Sequence, residues 1–258
     1  MAAAHSKVGV RWIELDEIDS TNAEAMRRAA AGEHGPLYIR ADRQLAGRGR
    51  SGRAWAAPAG NLAMSRVGRI GSPPAAIAQL SLVAGVAVHK ALAVALTGCD
   101  RADGLWLKWP NDILFDGAKL AGILVEATTI GGEPVAVIGV GVNVAHAPSV
   151  PGRRTAALAA VTGSEPDLRV IARDIASHLE EALVLWDQSR GFEAIRTAWL
   201  AASSPVGTAM TIESVKGRVS GFFRGLDHDG ALVLADPTGT VHRYSYGDVT
   251  LASEWEMS

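Results

Sequence analysis

Residues 105–144, LWLKWPNDILFDGAKLAGILVEATTIGGEPVAVIGVGVNV, decide the fold class. Four runs, 105–109, 112–115, 120–129 and 135–144, are separated by Pro110-Asn111, Asp116-Gly117 and Gly131-Gly132. Proline presets φ and glycine tolerates positive φ, so these pairs reverse the chain and the spacing predicts four consecutive strands in a meandering sheet.

Helical periods flank the meander. Upstream, Pro73 and Pro74 open a long helix with Ile77, Leu80, Ala84, Ala87 and Ala91 at helical spacing, ending near Gly98. Further back, residues 11–17 alternate as a strand, Asp19-Ser20-Thr21-Asn22 opens an alanine-rich helix that fades at Gly32, and residues 37–41 form the next strand. Thr21-Asn22-Ala23-Glu24 has the form of a capping box. Downstream, Ile171, Ile175, Leu179, Leu183 and Trp186 mark an amphipathic helix over 167–186, followed by a shorter one over 192–201. Ser203-Ser204-Pro205 is a boundary, and the short strands 209–214, 218–226, 231–235 and 241–246 beyond it suit a small barrel. The expected architecture is α/β (α+β): a mixed sheet backed by helices in residues 1–204 and a β-barrel in 205–258.

The chain has 258 residues, 48% hydrophobic and 20% charged, with a formal net charge of -2. This is globular usage, and the near balance argues against a broad basic face for nucleic acid while permitting a local arginine cluster. Cys99 is the single cysteine, which excludes an intramolecular disulfide and a cysteine zinc site, and the histidines lack ligand spacing, so no metal site is expected. Residues 1–12 lack the apolar run of a secretory signal. His89 and Lys90 interrupt the most apolar segment, 80–96, which reads as a buried helix rather than a membrane span. A cytoplasmic protein with neither membrane nor nucleic-acid partner is expected.

Chemistry gathers in four places. Ala46-Gly47-Arg48-Gly49-Arg50-Ser51-Gly52-Arg53 lies in a segment, 44–61, without apolar period. Its glycines let the backbone approach a ligand, and its guanidinium groups offer charge-assisted hydrogen bonds to phosphate or carboxylate oxygens. No Gly-Lys-Ser or Gly-Lys-Thr follows, so it is not a P-loop; on composition alone a solvated turn and an RNA contact, taken together, weigh as much as a small-molecule phosphate site. Lys108 shares a strand face with Trp106, opposite Leu105, Leu107 and Trp109, and either meets a buried anion or snorkels to water. Ser20, Thr21 and Asn22 suit a helix start, and the same hydroxyl and amide groups suit a polar ring or oxyanion. Gly139, Gly141 and Asn143 share one face and leave room for a nucleotide base against the sheet.

In this order, Asp19-Ser20-Thr21-Asn22, Gln44 with the arginine–glycine loop and Trp55, Lys108-Trp109-Pro110-Asn111-Asp112, Lys119-Leu120-Ala121-Gly122-Ile123-Leu124-Val125-Glu126 and Gly139-Val140-Gly141-Val142-Asn143 resemble biotin–protein ligases. Arg224-Gly225-Leu226-Asp227 and Gly230-Ala231-Leu232 extend the likeness to the C-terminal unit. The resemblance implies a class II synthetase-like catalytic domain with an SH3-like barrel, which activates biotin with ATP as biotinyl-5'-AMP and transfers it to a lysine of a biotin carboxyl carrier domain. It further implies that Ser20, Thr21, Asn22, Gln44, Arg48, Gly49, Arg50, Lys108 and Gly122 bind biotin. Arg48, Arg50, Arg53, Trp55, Lys108, Asn111 and Asn143 would bind ATP. Lys108, Arg48 and Arg50 would be catalytic, with Mg2+ on the departing pyrophosphate.

Three departures stand out against the family pattern. Ala57-Pro58 replaces a frequent Ser-Pro pair, and Leu251-Ala252-Ser253 stands where some members place an arginine that holds ATP. About ten residues precede the first strand, too few for a DNA-binding repressor module. Exposed strand edges are compatible with a homodimer. The rival readings are a lipoate or octanoate ligase of the same architecture and, remotely, an RNA-binding module.

Overall fold

The computed structural model describes residues 10–33, 35–71, 74–99, 102–214 and 217–251. The larger unit runs β1 (Arg11–Ile18), α1 (Thr21–Ala30), β2 (Leu37–Gln44), β3 (Leu62–Arg69), α2 (Gln79–Ala95), β4 (Leu105–Lys108), β5 (Asp112–Phe115), β6 (Ala118–Ile130), β7 (Glu133–Val142), α3 (Leu158–Thr162), α4 (Leu168–Trp186) and α5 (Phe192–Ala201). Its seven strands form one mixed sheet in the order β1-β2-β3-β7-β6-β5-β4. Only β1 and β2 pair in parallel. The meander from β4 to β7 follows the turn spacing of the sequence.

Strand β3 has no counterpart in the sequence reading. Ser65, Arg66 and Gly68 break its apolar run, yet it lies inside the sheet between β2 and β7 and is buried along nearly its whole length. Arg66 is tolerated there because Glu180 of α4 accepts from its Nε at 2.6 Å and also from the Tyr38 hydroxyl at 2.8 Å. A charge can sit inside a sheet when its partner is supplied from the covering helix.

Helices α2, α4 and α5 pack together, and α2 is buried on almost every side. The segment Ala76–Ala95 is long and apolar enough to cross a membrane by composition, and most of it lies inside the fold. A 3-10 turn, Pro74–Ala78, leads into α2; the expected start at Pro73 lies outside the described residues.

Helix α1 starts one residue earlier than a Thr21 cap would place it. Ser20 is the N-cap, extended at φ -156 and ψ 133, with its hydroxyl accepting from Ala23 N at 3.4 Å. Glu24 does not close a capping box but bonds Arg27 and Arg28. With Ser20 as the cap, the side chains of Thr21 and Asn22 are available to meet the sheet.

The C-terminal unit is an SH3-like antiparallel sheet, β8 (Ala209–Ser214), β9 (Gly217–Leu226), β10 (Leu232–Ala235), β11 (Val241–Tyr244) and β12 (Asp248–Leu251), in the order β11-β10-β9-β8-β12. Met210, Ile212, Phe223 and Leu232 belong to the same buried cluster as the residues of α2. Trp109 Nε1 donates to Gly230 O at 3.1 Å, joining the meander to this unit. Of the departure at Leu251-Ala252-Ser253, the last two residues lie outside the described residues.

Candidate active site

Register builds the floor of the site. Lys108 pairs with Asp112, Asp112 with Gly122, Gly122 with Gly141 and Gly141 with Ala63, so one cross-strand row runs through β4, β5, β6, β7 and β3. Directly paired residues project on the same face of a sheet. The row is therefore charged at one end and bare in the middle. A second row pairs Leu124 with Gly139 and Gly139 with Ser65.

The bare positions are filled by protein side chains. A Cβ on Gly141 would fall on the indole of Trp55, and one on Gly139 would fall on the amide of Asn22. This differs from the sequence expectation that the glycines make room for a base directly against the sheet. Trp55 lies over the strand instead and presents its own ring.

At one end of the cavity sits a polar cluster. Gln44 Oε1 accepts from the Thr21 backbone N–H at 2.8 Å and from its hydroxyl at 3.0 Å. Asn22 Nδ2 donates to Glu126 Oε2 at 2.7 Å and to Leu124 O at 3.3 Å. Glu126 also stands 3.7 Å from Arg48, which links this cluster to the arginine–glycine loop.

The loop closes on itself. Gly49 N donates to Arg53 O at 2.7 Å and Trp55 N to Gly47 O at 2.9 Å, while the tip turns through Ser51 and Gly52, both at positive φ. Its guanidinium groups reach across to other elements. Arg50 donates to Asn111 Oδ1 at 3.1 Å and to Gly247 O at 3.3 Å, and lies 5.2 Å from the Tyr246 ring centroid. Arg53 meets Asp248 at 2.9 Å. The C-terminal unit thus holds the loop from outside.

The charged end of the floor contains Lys108, Asp112 and Lys119. Asp112 Oδ1 accepts from Lys119 Nζ at 2.5 Å, and Oδ2 lies 3.8 Å from Lys108 Nζ. Burial pushes the Asp112 carboxyl up, but the two ammonium groups outweigh it and hold it below the ordinary carboxylate range. Burial lowers Lys119 below the ordinary lysine range, with Asp112 compensating only in part. Of the two readings of Lys108, meeting a buried anion and snorkelling to water, the structure has the first.

Two buried polar atoms on the walls of the cavity have no partner: Trp55 Nε1, a donor, and Asn143 Oδ1, an acceptor. Asn143 is oriented by donating from Nδ2 to Lys119 O at 3.2 Å. A buried polar group without a partner is costly. Trp55 Nε1 is packed against the strand at Gly141, so what Trp55 offers the cavity is the indole ring.

All these elements enclose one cavity of about 680 Å³. Every residue that the resemblance assigned to biotin, ATP or catalysis lines it: Ser20, Thr21, Asn22 and Gln44 at the polar cluster, Arg48, Gly49, Arg50, Arg53 and Trp55 from the loop, and Lys108, Asn111, Gly122 and Asn143 from the sheet. Lys119, Asp112, Arg153 and Asp248 line it as well and were not singled out as site residues. Lys119 stood in a quoted motif, but strict alternation would put it on the face opposite Gly122; the register shift of β6 against β5 at Ile113 and Leu114 brings both to the Trp55 side, with Lys119 Nζ 5.4 Å from that ring's centroid.

The model of the biotin/lipoate A/B protein ligase family matches residues 15–143. A biotin–[acetyl-CoA-carboxylase] ligase of Paracoccus denitrificans is 39% identical over 230 residues, covering 87% of this chain and 94% of the relative. A biotin protein ligase from Aquifex aeolicus, solved in complex with biotin and ATP, is 26% identical with a TM-score of 0.78, covering 93% of this chain and 98% of that one. A biotin protein ligase from Leishmania major, solved with biotinyl-5-AMP, is 25% identical with a TM-score of 0.64, covering 92% and 99% of the two chains. By sequence match across most of its length and by fold, the chain belongs to the biotin/lipoate A/B protein ligase family, alongside the biotin–[acetyl-CoA-carboxylase] ligases.

Proposed function

We propose that this chain is a biotin–protein ligase: it activates biotin with ATP as biotinyl-5'-AMP and transfers the acyl group to a lysine of a biotin carboxyl carrier domain. The observation that carries the reading is the order of groups along one cavity. A hydroxyl and amide cluster at Thr21, Asn22 and Gln44 suits the ureido ring. Cations at Lys108, Lys119, Arg48 and Arg50 suit the acyl-phosphate junction. The indole of Trp55 and the amide of Asn143 suit adenine.

Joining a carboxylate to the α-phosphate brings two anions together, a repulsion of roughly 4 kcal/mol at about 4 Å and an effective dielectric of about 20. Lys119 and Lys108 are held around Asp112, so they stabilise developing charge without reorganising. Arg48 and Arg50 approach from the loop. The carboxylate oxygen attacks phosphorus, pyrophosphate leaves, and no bond to the enzyme is needed. In the second step an acceptor amine attacks the acyl carbon and AMP leaves. The loop, Gly47-Arg48-Gly49-Arg50 onwards, covers the mixed anhydride and keeps water from it.

The carboxylates nearest the cavity already have partners, Asp112 with Lys119, Glu126 with Asn22 and Asp248 with Arg53. Mg2+ therefore enters as part of the Mg·ATP substrate, held by phosphate and water as this ion prefers, and not in a cage of side chains. We divide the chain into a catalytic unit, 1–204, and a C-terminal unit, 205–258, and place its work in the cytoplasm, where carboxylase carriers would be found.

Exchange of radiolabelled pyrophosphate into ATP tests the reading. Biotin should stimulate it and lipoate or octanoate should not. Stimulation by lipoate alone would assign the chain to the other branch of the family.

A further inference from the structure

We infer that Ser65 is a positioning residue for acid selection, setting the hydrogen-bond polarity that Thr21 and Asn22 present to the ligand. This rests on the biotin reading of the polar cluster. Ser65 is fully buried on β3, beneath the cavity, and its hydroxyl lies 2.8 Å from Thr21 Oγ1 and 2.6 Å from Asn22 Oδ1. Thr21 continues to Gln44 and Asn22 to Glu126, so Gln44, Thr21, Ser65, Asn22 and Glu126 form one hydrogen-bonded chain.

Each hydroxyl in that chain has a single proton. If Thr21 donates to Gln44, Ser65 donates to Thr21, and Asn22 Oδ1 is open to an outside donor. If Thr21 donates to Ser65, Ser65 donates to Asn22, and Gln44 Oε1 recovers accepting capacity. Ser65 is the link that makes these alternatives exclusive. A ureido ring brings two N–H donors and one carbonyl acceptor, so it satisfies either arrangement. An acid ending in a ring without N–H donors leaves Asn22 Oδ1 open in the first arrangement, where a buried open acceptor is costly, and is confined to the second, in which Gln44 Oε1 keeps only the Thr21 backbone N–H. The sheet enforces the contact: Ser65 pairs with Gly139, whose missing side chain is what admits the Asn22 amide.

The test uses the full chain with Ser65→Ala, a smaller residue at a buried site. In biotin-dependent pyrophosphate exchange the KM for biotin should rise about tenfold, the cost of a buried hydrogen bond, with the KM for ATP and the kcat at saturating biotin unchanged. Ser65→Cys, which keeps a weak donor, should fall between the two and carries the same test if the alanine variant does not fold. Combining Ser65→Ala with Thr21→Ala should raise the KM for biotin by less than the product of the single effects, because the two act as one unit. A wild-type KM for biotin in Ser65→Ala, independent effects in the double variant, or equal rises for biotin and ATP would overturn the inference. Absence of biotin-stimulated exchange in the wild type is a separate result, and it overturns the proposed function instead.

Discussion

Lys119 Nζ lies 2.5 Å from one oxygen of Asp112, while the other oxygen of the same carboxylate stands 3.8 Å from Lys108 Nζ. One acid is shared by two amines, so the trio is net cationic and faces the cavity. That surplus is what an acyl phosphate needs and what an apolar floor would lack.

Both lysines should therefore matter to adenylation. Lys108→Ala is expected to lower pyrophosphate exchange by about 10²-fold or more, and Lys119→Ala by at least as much. Because burial holds Lys119 below the ordinary lysine range, exchange should decline on the alkaline side at a pH below about 10.4. Lys119→Arg should move that decline upward, and an unmoved alkaline limb would remove Lys119 from the charge account.

Asp112 predicts an acid dependence of stability. Its folded carboxyl titrates below the unfolded value, so its contribution is fully present above about pH 4 and disappears as the pH falls through the folded value. Asp112→Asn leaves the buried amines facing each other and should cost about 3–5 kcal/mol at neutral pH. Urea unfolding from about pH 3 to pH 7 should be less pH-dependent in the variant on the acid side. Parallel curves for the two proteins would show that the pair contributes nothing.

The two floor glycines should separate the two ends of the site. An alanine methyl at Gly139 meets Asn22, and one at Gly141 meets Trp55. Gly139→Ala is expected to raise the KM for biotin and Gly141→Ala the KM for ATP, each by about tenfold or more given the overlap with ordered groups. Exchange kinetics with each substrate varied in turn would read this, and a reversed pattern would invert the assigned ends.

The loop should leak when its anchors are cut. Arg50→Ala is expected to release the adenylate and label lysines indiscriminately, read by biotin blotting of a bystander protein. Asp248→Ala removes the anchor of Arg53, a partly exposed pair worth about 1 kcal/mol or less, so amide exchange in residues 47–55 should quicken by up to about fivefold. Unchanged retention of the intermediate in Arg50→Ala would refute the lid.

Much of this was legible in the sequence because turn chemistry is local. Asp116-Gly117 and Gly131-Gly132 specify reversals wherever they occur, and the meander followed from them. Strand β3 was not legible, since Arg66 reads as a surface residue until Glu180, from a helix more than a hundred positions away, is brought over it. The loop residues and Lys108 could be named from composition and motif. Lys119 and Asp112 could not be ranked as partners, because their pairing depends on the register of β5 against β6, which no single segment encodes. The helix start was misplaced by one residue for a similar reason: Ser20 and Thr21 are equally good caps, and what separates them is that the Thr21 side chain is engaged by Gln44 and Ser65.

The contacts between Arg53 and Asp248 and between Arg50 and Gly247 join positions 195 and 197 residues apart. During synthesis on the ribosome, the vitamin-facing half of the cavity is complete long before the strand that tethers its cover has been translated. A polypeptide interrupted before Gly247 would lack both anchors of the arginine-bearing loop, so late truncation should loosen the cover over the reactive anhydride.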